Sequence, residues 1–407
     1  MDILINIPKE VETALSILND NNFEAYIVGG CVRDSLLGMI PHDWDITTSA
    51  KPEEIINCFK NYKTINTGLK HGTVTVLINH SPIEVTTYRI DGEYSDNRRP
   101  DNVFFTEKLE DDLKRRDFTI NALAYNENGI VDLFGGIEDL NNKLIRCVGK
   151  PDERFNEDGL RVLRAMRFAS VLDFKIDEQT SISIHKNKEL LNNISKERIN
   201  VELIKLIDGE NFLNILKTYR DVVEVFIPEI SNYSNIEWEH ALKSICFADN
   251  RIVKLALLLL YTNKTEFVLK NLKFDNITVK TAELLNKNNN EMITTDKIRL
   301  KKQLNKYGYD NLNLLLNLKS STALADNFVS EVIIIKNSKK IIDEIIENKE
   351  VFNIKDLAVN GDDLMKEGFK KGKEIGLILN DILNLVIEEK LENDKNVLLG
   401  YVKRFNK

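Results

Sequence analysis

The chain has 407 residues, more than one compact core normally serves, so two or more domains are expected. Hydrophobic residues at 43% and charged residues at 29% fit an ordinary soluble protein, and no apolar run reaches membrane-spanning length, which argues against a membrane protein. The net charge of −8 excludes a protein drawn to nucleic acid by its overall field; any RNA contact has to come from a local basic patch.

The first residues, MDILINIPKEV, carry acids and a proline where a secretory leader needs a basic and then apolar run, so a cytoplasmic protein is expected. Residues 8–22 read as a helix, with Val11, Leu15 and Leu18 at helical spacing and Asn19-Asp20-Asn21-Asn22 ending it. The stretch Tyr26 to Ala50, YIVGGCVRDSLLGMIPHDWDITTSA, reads as strand, glycine turn, short helix, loop and second strand. Gly29 and Gly30 let the backbone turn sharply and leave amide N–H groups open to an anion, and Arg33 faces the same place one turn into the helix. Asp43 and Asp45, two apart on the second strand, project from one face. Carboxylates that close need a cation between them, and oxygen donors select Mg²⁺ over softer metals. Together these features point to phosphoryl transfer.

A helix is predicted over 53–60, then strands over 73–78 and 82–88. The second strand carries Glu84, which antiparallel pairing would turn toward Asp43 and Asp45. Residues 91–113 are polar and aperiodic, a long loop. Arg116-Asp117 then stands at a predicted helix start, where it would ordinarily be a cap with a surface ion pair. Residues 129–150 read as a strand, a glycine turn and a last strand closing the sheet. From Pro151 onward the chain reads as helix after helix. Asp158 and Arg161, three apart, share a helical face, and Arg161, Arg164 and Arg167 continue it as a cationic stripe. Taken alone, that pattern equally describes a solvated face with Asp–Arg pairing. The four cysteines, Cys31, Cys58, Cys147 and Cys246, form no CxxC pair and give no zinc pattern with the histidines; they read as buried thiols in a reducing compartment.

The combination GGCVRDSLLG and HDWDITTSA resembles the signature of the nucleotidyltransferase superfamily, in the branch of class II tRNA nucleotidyltransferases and bacterial poly(A) polymerases. IEVTTYR resembles the place of that family's third carboxylate, Glu84 here. RRDFTINALAYN resembles its second motif, which implies that Arg116 and Asp117, with Asn121, contact the ribose of the incoming nucleotide. RFNEDGLRVLRAMRFA resembles the motif whose acid and arginine act as a protein template for the base, here Asp158 and Arg161, with Arg164 and Arg167 also at the nucleotide. SKERINVELIKLI resembles a further family segment, and the glycine-spaced run from Val359 to Gly376 resembles the tail of bacterial CCA-adding enzymes. Some relatives append an HD-type phosphohydrolase domain; the only His-Asp pair here is His42-Asp43, so that activity is not expected.

The resemblance implies an α+β protein: a nucleotidyltransferase head with a small mixed sheet over 1–137, then an all-α neck over 138–205, body over 206–325 and tRNA-binding tail over 326–407. It implies addition and repair of the 3′-terminal CCA of tRNA from CTP and ATP. Asp43 and Asp45 would hold Mg²⁺ with Glu84 assisting, and Gly29, Gly30 and Arg33 would cradle phosphates. No membrane and no protein partner are required. The alternatives within the branch are an enzyme that adds only A and a poly(A) polymerase; outside it, an RNA-binding protein on an inactive transferase fold.

Overall fold

The computed structural model describes residues 5–92 and 102–405, which divide into two units, Met1–Ser231 and Asn232–Lys407. The first unit is built on a seven-stranded sheet. Its strands are β1 (Ala25–Val28), β2 (Asp45–Thr48), β3 (Lys63–Ile65), β4 (Thr73–Ile78) and β5 (Ser81–Thr87). A ribbon of β6 (Arg89–Asp91) and β7 (Val103–Phe105) follows, and then β8 (Leu123–Asn126) and β9 (Gly129–Asp132) complete the main sheet. The order across it is β3-β4-β5-β2-β1-β8-β9. Neighbours are antiparallel except β2 and β5, which run parallel.

Alternation explains the sheet. Val74, Val76, Ile78, Ile83, Val85 and Ile46 are buried on one face, while Asp45, Glu84 and the threonines between them occupy the other. Helix α1 (Lys9–Asp20) turns Val11, Ala14, Leu15 and Leu18 inward and packs on β1. Helix α2 (Gly30–Leu36) packs on β1 and β8, and α3 (Pro52–Cys58) on β4 and β5. The short α4 (Leu109–Lys114) packs on β6.

Two stretches differ from the sequence reading. The predicted loop over 91–113 starts and ends in structure: β6 and β7 pair antiparallel, and α4 follows. Its middle, 93–101, lies outside the described residues. The last strand predicted over 129–150 does not join the catalytic sheet. Helix α5 (Gly136–Asn141) intervenes, and β10 (Leu144–Ile145) pairs instead with β11 (Lys175–Ile176) in a separate parallel bridge. Pairing across thirty residues is a tertiary choice that local pattern does not encode.

The remainder of the first unit is helical: α6 (Pro151–Glu157), α7 (Leu160–Leu172), α8 (Glu178–Asn187), α9 (Lys196–Ile207), α10 (Phe212–Thr218) and α11 (Arg220–Phe226). Helix α7 packs along α9. The second unit is helical among its described residues, from Asn235–Ile245 to Lys395–Val402. Near its end a core of Leu364, Ile382, Leu383, Leu398 and Val402 is closed. There Asn360 accepts from the amides of Asp362 and Asp363, and Asp363 accepts from the amide of Asn360, a reciprocal helix cap. No described helix is long and apolar enough to cross a membrane. Cys31 and Cys147 are buried as expected, but Cys58 is half-buried and Cys246 exposed.

Candidate active site

The carboxylates come together by strand register. Asp45 is the first residue of β2 and lies directly opposite Glu84 across the parallel β2–β5 pair, so both side chains leave the same face. The parallel pairing replaces the antiparallel one expected between these strands. Asp43 lies two residues before β2 rather than on it. All three keep exposed surface, although the Asp45 carboxyl group itself is crowded by protein on most sides. Desolvation around its carboxyl, with Glu84 and Asp43 beside it, outweighs the pull of Arg116 and pushes Asp45 up to about 6.

Among the described residues no group of three or more His, Cys, Asp or Glu side chains is placed to hold a metal ion, so the expected three-carboxylate arrangement is not formed. The donor set present is oxygen-only, and its mutual repulsion is what a cation relieves. Mg²⁺ is usually bound by one or two carboxylates, with water and substrate phosphate completing its shell.

The glycine turn sits beside the carboxylates. Gly29 has φ of 82°, a backbone conformation that favours glycine, and a Cβ there would lie 3.1 Å from Arg116 Nη1, so the guanidinium comes close to the turn. Its own amide is not open to an anion: it donates to the carbonyl of Leu123. Arg116 is held by Asp112, not by Asp117. Asp112 Oδ2 accepts from Arg116 Nη2 at 3.1 Å and from the Thr47 hydroxyl at 3.2 Å, while Oδ1 accepts from Arg115 at 2.8 and 3.1 Å.

Asp117 is buried and looks the other way. It accepts from its neighbour Phe118 N, from Asn121 Nδ2 at 3.0 Å and from Arg164 at 2.5 and 2.9 Å. Burial alone would raise its carboxyl, but Arg164 and Asn121 hold it well below the usual carboxylate range. Arg33 Nη1 donates to Asn121 Oδ1 at 2.6 Å, which links the first motif to the second, and its other nitrogens pair with Asp34. Arg33, Arg164 and Arg167 surround the Phe168 ring at 5.0, 5.3 and 3.6 Å from its centroid. Arg164 and Arg167 also meet Glu202 of α9, at 3.7 and 2.8 Å. The cationic stripe is therefore neutralised from inside the protein.

Asp158 and Arg161 do not share a helical face. Asp158 is extended (φ −136°, ψ 105°) between α6 and α7, where it receives Arg198 of α9 at 2.7 Å. Arg161 is nearly buried; it donates to Glu157 at 2.5 Å and to the carbonyls of Arg154 and Arg115. The extended backbone at Asp158 ends α6, and α7 starts anew after Gly159, so the continuous helix that the i, i+3 reading assumed is not there.

The comparisons with known proteins follow this layout. Residues 25–146 match the poly A polymerase head domain, 173–233 the RNA and SrmB-binding site of polymerase A, and 248–402 tRNA nucleotidyltransferase domain 2. The CCA-adding enzyme of Ligilactobacillus salivarius is 38% identical over 99% of this chain and 98% of its own length. That of Lactobacillus helveticus is 37% identical over 95% of each. The chain belongs to the CCA-adding enzyme family. The crystal structure of the Bacillus stearothermophilus CCA-adding enzyme in complex with CTP superposes with a TM-score of 0.81 at 31% identity, over 98% of this chain and 97% of that one.

In this member of the CCA-adding family, sequence reasoning passed over three residues that hold the site together. Asp112, Arg198 and Glu202 each sit on a helix flank where an isolated charge reads as solvated. The spacing of Asp112 to Arg115 and Arg116, i to i+3 and i+4, is the one signal that pointed to a local pairing.

Proposed function

We propose that this protein adds and repairs the 3′-terminal CCA of tRNA, using CTP and ATP without a nucleic-acid template and releasing pyrophosphate. The observation that carries the reading is the register of Asp45 against Glu84, which puts two carboxylates on one open face beside the Gly29 turn. Full-length similarity to CCA-adding enzymes supports it. Asp43 and Asp45 would hold Mg²⁺, with water and substrate phosphate completing its shell and Glu84 assisting from across the β2–β5 pair. A cation held there would supply a lowered pKa for the RNA 3′ hydroxyl and neutralisation of the pyrophosphate charge.

The chain's own residues supply position. Gly29, Gly30 and Arg33 flank the triphosphate, with Arg164 and Arg167 around Phe168 also close to the nucleotide. Arg116, Asp117 and Asn121 meet the ribose, where hydrogen bonds to both hydroxyls select ribonucleotides. Asp158 and Arg161 read the base edge. An arginine fork donates to the acceptors of C or A, and a carboxylate accepts from the exocyclic amine that both carry. G and U present a carbonyl there and are refused. Arg161 pairs with Glu157, and Asp158 with Arg198. Nucleotide binding would exchange those partners for the base. The catalytic head over 1–137, the neck over 138–205 and the body over 206–325 keep the assignments above; the tail over 326–407 binds tRNA, and the protein works in the cytoplasm.

The test is incubation of the purified protein with tRNA lacking CCA and each labelled nucleotide. Incorporation of two C and one A is the expected result. A alone, added only to tRNA ending in CC, marks an A-adding enzyme; long A tracts mark a poly(A) polymerase; no incorporation refutes an enzymatic reading.

A further inference from the structure

Asp112 is fully buried, yet it is a carboxylate with two arginines and a threonine on its two oxygens. Burying a charge is costly unless it is paired, so its partners decide what it does. Thr47, which donates to it, lies two residues along β2 from Asp45 and on the same face. Arg116, which it holds by one terminal nitrogen, approaches Gly29 with the other and pulls on the charge of Asp45. The Arg116 Nε is buried without a hydrogen-bond partner among the described residues. One end of that side chain is thus anchored and a donor is left over. Arg115, its other cation, gives its carbonyl to Arg161.

We propose that Asp112 is a positioning residue for nucleotide transfer, the buried anion that locks Arg116 between the Gly29 turn and the Asp45–Glu84 carboxylates. This rests on the transferase reading above. Asp112 touches no substrate. It acts by fixing the guanidinium that faces the nucleotide, while Thr47 holds the carboxylate in place from the strand that carries Asp45. Arg116 would otherwise be free to swing onto the Asp45–Glu84 pair and neutralise it.

Asp112→Asn keeps the volume and removes the charge. The expected result is a fall in kcat of about 100-fold for C addition and A addition alike, the scale of a 1 Å misplacement, with KM for tRNA unchanged. The decisive readout is a double-mutant cycle. In an Arg116→Ala background, Asp112→Asn should slow transfer no further, because the group it positions is gone. Thr47→Val, which deletes one bond to Asp112 at nearly constant volume, should lower kcat several-fold and cover the case in which Asp112→Asn does not fold. Wild-type kcat in both variants, or an effect that multiplies with that of Arg116→Ala, overturns the proposal while leaving the transferase reading intact. Wild-type protein that extends no tRNA overturns both.

Discussion

At the scale of single residues, Arg161 carries two duties whose sizes differ. It pairs with Glu157, but Glu157 also has Arg154, so loss of Arg161 does not strand a buried anion. A bidentate contact to a base edge, by contrast, is worth about 1–3 kcal/mol of discrimination. Arg161→Ala is therefore expected to relax base choice more than it unfolds the protein. The measurement is kcat/KM for CTP and ATP against UTP and GTP; uniform slowing with selectivity intact would make Arg161 a structural ion-pair residue. Asp45 makes the opposite case. Its folded pKa, about 6, lies above its ordinary value of 3.8, so the stability it contributes is present at low pH and lost as pH rises through 6. Asp45→Asn should abolish incorporation of both nucleotides, yet raise the melting temperature of metal-free protein at pH 8 and leave it unchanged near pH 4. A variant that melts lower at pH 8 would show that the carboxylate is stabilising, and the crowding argument would be wrong.

At the scale of elements, α9 is the helix whose importance is easiest to miss. Arg198 and Glu202 face α7 and reach Asp158, Arg164 and Arg167. Sequence pattern located α9 and the strands β1, β2, β4 and β5, though not β3, β6, β7 or β8; Leu203, Leu206 and Ile207 fall at helical spacing, and Val74, Val76 and Ile78 alternate. It did not reveal that β2 and β5 run parallel, or that Glu202 is buried. Both depend on partners thirty or more residues away, and an acid on a helix gives no sign of whether an arginine waits opposite. The expectation that Asp158 and Arg161 share a helical face failed for a local reason, the extended backbone at Asp158 that separates α6 from α7. Glu202→Ala tests the α7–α9 seam. Removing one partner of a buried pair typically costs about 3–5 kcal/mol, because the other charge is left unpaired. The urea midpoint of the first unit should fall accordingly, since Arg167 loses its carboxylate while Arg164 keeps Asp117; a midpoint within error of wild type would mean that water, not Glu202, serves Arg167.

At the scale of the whole molecule, the chain forms two units with separate cores, and its two tryptophans fall one in each. Trp44 lies between Asp43 and Asp45 in the first unit, and Trp238 is buried in the second. Trp44→Phe and Trp238→Phe each leave a single reporter. All the nucleotide-facing residues assigned above belong to the first unit, so CTP with Mg²⁺ should stabilise that unit directly. A ligand at 100 times its Kd adds about 2.7 kcal/mol to the state that binds it. With a urea slope of about 2–3 kcal/mol per molar for a unit this size, the midpoint reported by Trp44 should rise by about 1 M. The Trp238 midpoint should stay where it is if each core unfolds by itself. Equal shifts at both reporters would show that the units unfold as one, and a shift at Trp238 alone would place the nucleotide in the second unit, against every assignment made for the first.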